Sequence, residues 1–183
     1  MEKKVKKYLK PKIKSKKTKI EIMFGRGWLE DMLLAQCPGP PTCSSCARSC
    51  FLPGTKISVP SGLMSIESIK VNDLVLSFNF SQDKLTPSKV KKVLTDKVDH
   101  YLIINNKIRV TPYHRFWVNG RKWIIAKDLK VNDCLFGFNK QKIKIKNIEK
   151  INKQATVYNL HLFGVHKNFF AEGVLVHNTK CYP

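Results

Sequence analysis

The sequence predicts an all-β domain built from two related halves, and three observations carry that prediction. Short segments alternate apolar and polar residues, as half-buried strands do: Lys56-Ile-Ser-Val59, Leu74-Val-Leu-Ser-Phe-Asn-Phe80 and Lys142-Ile-Lys-Ile-Lys146. Val118-Asn-Gly-Arg121 lies between Phe116-Trp117 and Trp123-Ile-Ile125, and Asn-Gly favours the hairpin turn whose twist matches its strands. Finally, Ile69-Lys-Val-Asn-Asp-Leu-Val-Leu-Ser-Phe-Asn79 recurs as Leu129-Lys-Val-Asn-Asp-Cys-Leu-Phe-Gly-Phe-Asn139. A shared turn entry would account for Val-Asn-Asp alone. Duplication into two β-subdomains about a pseudo-two-fold axis accounts for the whole match.

At 183 residues the chain fits one domain of ordinary size plus a tail, and no apolar run approaches the length of a membrane helix. Its formal net charge of +21 invites a nucleic-acid or membrane-surface reading. Much of that charge lies in residues 1–19, where lysines alternate loosely with few apolar residues and Pro11 interrupts. Such a block reads as a flexible, solvated arm. It lacks the interleaved aromatics of a single-strand groove, so contact with RNA or DNA would be nonspecific and salt-sensitive. Residues 20–35 are broken by Glu21, Arg26, Glu30 and Asp31 and make a poor secretory signal, so a cytoplasmic location is expected. Residues 24–36 have the pattern of a short amphipathic helix, which Cys37-Pro-Gly-Pro-Pro41 would stop.

The chemistry-bearing residues stand at two junctions. Cys50 opens Cys50-Phe-Leu-Pro-Gly-Thr-Lys-Ile57, and His177-Asn178-Thr179 comes almost at the end. A thiolate can reach the carbonyl of the preceding residue through a five-membered ring, so the Ser49–Cys50 amide can become a thioester. The side-chain amide of Asn178 can close a succinimide on its own carbonyl and release Thr179. Both steps need a histidine to move protons and donors to hold an oxyanion. Between the junctions come Thr111-Pro-Tyr-His114, then Val157-Tyr-Asn-Leu-His-Leu162, then His166 within Val165-His-Lys-Asn-Phe-Phe-Ala-Glu-Gly-Val-Leu-Val-His-Asn178.

These blocks, in this order, resemble the Hint family: inteins, bacterial intein-like domains and the autoprocessing domain of hedgehog proteins. The resemblance covers residues 50–179. It implies the Hint fold, two β-subdomains in a compact horseshoe, and it implies a role for each site residue. Cys50 is the first nucleophile. His114 destabilises and protonates the Ser49–Cys50 amide, with Thr111 as hydrogen-bonding partner. His166 and the penultimate His177 assist cyclisation of Asn178, and Thr179 is the acceptor nucleophile. Asn159 stands where many splicing inteins have aspartate, and bacterial intein-like domains often have asparagine there. An amide can hydrogen-bond but does not usefully accept a proton. His100 and His161 have no block partner and read as ordinary surface or strand positions. Cys134, inside the repeat opposite Leu74, reads as a buried hydrophobe.

The division is therefore a basic, cysteine-containing flank (1–49), a processing domain (50–178) and a short second flank (179–183). The span 50–178 leaves no room for a homing endonuclease domain. The expected activity is single-turnover protein splicing in cis, with no cofactor and no required partner besides the chain's own flanks. Two alternatives stay open: terminal cleavage without ligation, and a small basic nucleic-acid-binding protein with a structural β-domain. Joining Ser49 to Thr179 would create Cys37-x5-Cys43-x2-Cys46-x5-Cys181, four thiols able to bind Zn²⁺ tetrahedrally. The same cysteines also read as unrelated thiols in a flank.

Overall fold

The computed structural model describes residues 49–178 apart from 119 and 121. The basic arm, the amphipathic helix over 24–36, Thr179 and the candidate zinc thiols Cys37, Cys43, Cys46 and Cys181 lie outside the described residues. Within them, secondary structure consists of antiparallel strands and two single turns of 3-10 helix. In chain order the strands are β1 (Lys56–Val59), β2 (Gly62–Ser65), β3 (Leu74–Asn79), β4 (Lys84–Val98), β5 (Tyr101–Ile104), β6 (Ile108–Val110) and β7 (Arg115–Val118). They continue as β8 (Lys122–Ile125), β9 (Cys134–Phe136), β10 (Lys142–Lys144), β11 (Ile148–Ile151), β12 (Ala155–Leu162), β13 (Asn168–Ala171) and β14 (Val174–His177).

One curled sheet runs β10-β9-β7-β14-β13-β1-β2, with β8 paired to β7. Two smaller sheets run β11-β5-β6 and β12-β4-β3. The large sheet brings the two junctions together. β1 follows Cys50 closely and pairs with β13 (Ile57 opposite Ala171). β14 ends immediately before Asn178 and lies between β13 and β7, with Val176 opposite Phe116. The common core is made by Phe51, Ile57, Ile104, Phe116, Leu160 and Phe169, all fully buried. Phe51 anchors the nucleophile's segment: its N–H donates to Tyr158 O and its carbonyl accepts from Tyr158 N, both at 2.8 Å.

The duplication extends well upstream of its sequence match. Ile69 N donates to Ile66 O and Leu129 N to Ala126 O, each at 3.3 Å. Lys70 N and Lys130 N donate to the carboxylates of Asp73 and Asp133. Asn72 and Asn132 both adopt the left-handed conformation, with φ of 75° and 78°. Further back, Ile66 N donates to Thr55 O as Ala126 N donates to His114 O. Nearest the junction, Leu52 N donates to Arg109 O and Thr111 N to Cys50 O. Leu52-Pro-Gly-Thr55 is thus the counterpart of Thr111-Pro-Tyr-His114, and the β1–β2 hairpin the counterpart of β7–β8.

Three details differ from the sequence expectations. Val59 pairs with Gly62 but Val118 with Lys122, so the Asn-Gly hairpin has one more loop residue than its twin. Gly120 takes φ +69° in that loop, a conformation that costs glycine little. The strand expected over residues 142–146 stops at Lys144, because Ile145 N turns to Asp133 O and its side chain enters the core. Cys134 is partly exposed rather than buried. Val75 and Leu135 take the inward position of the repeat, so strand alternation turns Leu74 and Cys134 outward.

Candidate active site

The turn Thr111-Pro-Tyr-His114 links β6 to β7 and wraps the amide that precedes Cys50. Cys50 N–H, the nitrogen of that amide, donates to Thr111 Oγ1 at 2.7 Å. The Thr111 hydroxyl in turn donates to Cys50 O at 3.1 Å, and Thr111 N donates to the same carbonyl at 2.9 Å. Ser49 Oγ donates to Tyr113 O at 3.0 Å, which fixes the residue before the junction. Ser49, Cys50 and Thr111 are all buried.

His114 is fully buried in an aromatic shell. Its ring centroid is 4.3 Å from Phe51, 6.0 Å from Phe116 and 6.4 Å from Phe169. Neither ring nitrogen makes a well-formed hydrogen bond among the described residues. The Ser49 backbone is nonetheless near enough to favour the protonated ring. Burial outweighs it and, with the nearby His177, pushes the imidazole down to about 3. At neutral pH His114 is an uncharged ring with one donor and one acceptor uncommitted beside the Ser49–Cys50 bond.

The second junction is held by the β13–β14 hairpin. Asn168 lies opposite His177, and Asn178 N donates to Lys167 O at 2.7 Å. The fully buried Asn178 amide docks on β12, with Nδ2 donating to Leu160 O at 2.8 Å and Oδ1 accepting from Leu162 N at 2.9 Å. The His177 ring meets Trp123 nearly perpendicular, at 5.0 Å and 85°. Burial first, then the charges of Arg115 and Lys167, push His177 down to about 4. His166 sits in the loop between β12 and β13, partly buried, and among the described residues it makes no hydrogen bond, ion pair or ring contact.

Asn159 is fully buried on β12. Its Oδ1 accepts from Leu160 N at 2.8 Å, and its Nδ2 has no partner among the described residues. Val157, two residues earlier on the same face, packs with Cys50 and Leu52, so Asn159 faces the Cys50 side of β12. The structure therefore gathers Cys50, Thr111, His114, Asn159, His177 and Asn178 around one end of the large sheet. His100 and His161 stand apart, in the turn after β4 and on β12 opposite Lys92. Sequence reasoning missed Trp123 and Asn168. Asn168 clamps β3 from both sides, its Oδ1 accepting from Phe78 N at 2.7 Å and its Nδ2 donating to Phe78 O at 3.0 Å.

A sequence profile of the pretoxin HINT domain matches residues 56–179. The chain belongs to this family. Solved structures with the same fold include the bacterial intein-like domain of Clostridium thermocellum, at 25% identity and a TM-score of 0.66, covering 70% of this chain and 98% of that one. A DnaB intein from Synechocystis sp. PCC 6803 matches at 22% identity and a TM-score of 0.58, over 70% and 97%. The gp41-1 intein matches at 24% identity and 0.57, over 71% and 98%. No curated protein sequence matches the chain. The HINT domain is a Hint-family autoprocessing domain with the intein fold.

The two neutral histidines make the HINT domain acid-sensitive. Each has a folded pKa below its ordinary 6.5, so between that value and about 3 or 4 the unfolded chain takes up protons that the folded one refuses. Stability is therefore intact above 6.5 and falls as pH drops through this window. Between 6.5 and about pH 5, each histidine is expected to remove roughly 2 kcal/mol. Urea unfolding of a chain kept whole by Cys50→Ala and Asn178→Ala measures this. His114→Phe should flatten the slope by about half, and an unchanged slope would contradict the buried, neutral assignment.

Proposed function

We propose that the HINT domain splices itself once, in cis. The Cys50 thiolate attacks the Ser49 carbonyl; the new C–S bond forms, the C–N bond breaks and the Cys50 amine takes a proton. Thr179 Oγ then attacks the thioester, forming an ester and returning the Cys50 thiol. Asn178 Nδ2 attacks its own carbonyl, breaking the Asn178–Thr179 bond and leaving a succinimide. The freed Thr179 amine displaces its own ester, and an amide joins Ser49 to Thr179. Thr111 and His114 serve the first step and His166 and His177 the cyclisation, while Asn159 stands at the exchange between steps as a hydrogen-bonding group only.

The observation that carries this reading is the 2.7 Å hydrogen bond from Cys50 N to the buried Thr111 hydroxyl, beside a neutral His114 with uncommitted nitrogens. A hydroxyl on the departing nitrogen, and a neutral imidazole able to take the Cys50 thiol proton and hand it to that nitrogen, are what amide-to-thioester exchange requires. Its substrate is the chain's own flanks, and it needs neither cofactor nor partner. Any contact of the basic arm with nucleic acid would be secondary and nonspecific, in a cytoplasmic setting.

Intact-mass spectrometry of freshly expressed chain tests the reading. Splicing yields residues 1–49 joined to 179–183, together with an excised 50–178. Asn159 favours accompanying cleavage without ligation, because its amide cannot relay a proton between the steps. Asn159→Asp keeps the acceptor for Leu160 N and places a carboxyl in a buried site, where desolvation raises its pKa toward neutrality. The ligated fraction is expected to rise about two- to fivefold, the modest gain of an added proton relay. Clean splicing by the parent with no gain in the variant would remove this role for Asn159. An intact chain that binds DNA in a salt-sensitive manner would replace the splicing reading with the nucleic-acid one.

A further inference from the structure

The two copies of the hairpin differ where the fold does not require it. In the first copy Ser58 lies opposite Leu63; in the second, Trp117 lies opposite Trp123. Both hairpins form, so the tryptophans are not needed to close one. Leu63 is 68% exposed, whereas Trp123 is partly covered and packs at 5.1 Å against Trp117 and at 5.0 Å against His177. Trp117 continues the contact to Phe80 at 4.7 Å, and Phe80 to Phe78 at 5.1 Å. A line of aromatic rings thus begins in the body of the sheet and ends on the histidine beside Asn178. The same comparison pairs Leu52 with Thr111 and Thr55 with His114, so the histidine and its hydroxyl partner stand in the second copy while Cys50 stands in the first, opposite Arg109.

We propose that Trp123 is a positioning residue for His177: its ring, braced by Trp117, fixes the imidazole next to Asn178 and covers it from water. The proposal rests on the reading that His177 serves cyclisation. The groups facing His177 are Arg115 on β7, Lys167 before β13, His114 in the turn before β7, and the uncharged Trp123 on β8. The cations disfavour an imidazolium, and the indole adds to its desolvation. Removing the indole therefore affects both the angle of the ring and its protonation.

Trp123→Leu restores the residue of the first copy, which a hairpin of this kind accommodates. In the full chain it is expected to slow release of residues 179–183 about tenfold, the rate equivalent of a lost aromatic pair. Thiol-induced cleavage at Ser49–Cys50 should change less than about twofold. Trp123→Phe should recover most of the loss. A second readout needs no cleavage. In an Asn178→Gln chain, whose longer amide keeps β14 docked on β12, acid should quench part of the tryptophan emission as His177 protonates, because imidazolium quenches a neighbouring indole. That step should disappear in both His177→Gln and Trp123→Phe. Equal slowing at both junctions, no slowing at either, or a quenching step that survives Trp123→Phe would overturn the proposal. A parent chain inert at both junctions would sink the splicing reading instead. The quenching step would then decide alone whether Trp123 sets the state of His177, and its absence from the parent would overturn that as well.

Discussion

Cys50→Ala is expected to abolish thiol-induced cleavage at Ser49–Cys50, a loss of more than about a thousandfold, the scale on which removal of a covalent nucleophile is felt. The reason is local. Only a nucleophile on the Cys50 side chain can reach the Ser49 carbonyl through a five-membered ring, and a methyl group has none. The variant should fold. Cys50 packs with Leu52 and Val157, and exchanging a thiol for a methyl leaves a small gap costing about 1 kcal/mol. The bonds from Thr111 go to the main chain of residue 50 and are unaffected. Cys50→Ser, which keeps a poorer nucleophile on the same ring path, should give slow but measurable cleavage. Mass spectrometry after treatment with a small thiol reads all three chains. Parental cleavage in the alanine variant would remove Cys50 from the chemistry.

The nucleophile was legible because its chemistry is written in chain order: a cysteine after the cut, a Thr-x-x-His turn, a His-Asn-Thr ending. Those features survive translation into sequence. The residues that escaped reading depend on strand pairing between distant segments. Trp123 meets His177 only because β14 lies against β7, and Asn168 clamps Phe78 only because β13 packs beside β3. The repeat shows the same division. Its downstream part was visible as matching letters, because the Asp-capped turn with a left-handed asparagine constrains side chains as well as backbone. Its upstream part had diverged to Thr55 against His114 and Ser58 against Trp117. The hydrogen bonds there run between main-chain atoms, which place little demand on residue identity. Strand alternation located β1 and β3 and overran β10 by two residues, but it did not show which faces are covered: Ser58 is buried although polar, on a strand that lies beside β3.

Asn178→Ala is expected to eliminate release of residues 179–183, again by more than about a thousandfold, because the amide nitrogen that closes the ring is gone. Here the structure predicts a folding cost as well. Asn178 is fully buried, and its amide satisfies Leu160 O and Leu162 N on β12. Alanine leaves both groups unpaired, at roughly 1–3 kcal/mol each where water cannot reach. The end of β14 should therefore loosen, and amide exchange of Leu162 should quicken, while the core around Phe51 and Phe169 stays protected. Asn178→Gln separates the two effects. Its longer amide can restore one or both bonds to β12, but it must close a six-membered imide from a less favourable start. Stability is expected to recover substantially and release to remain at least tenfold below the parent, in line with the loss of near-attack geometry. Full release from the alanine variant, measured as the free pentapeptide by mass, would exclude asparagine cyclisation as the second cleavage.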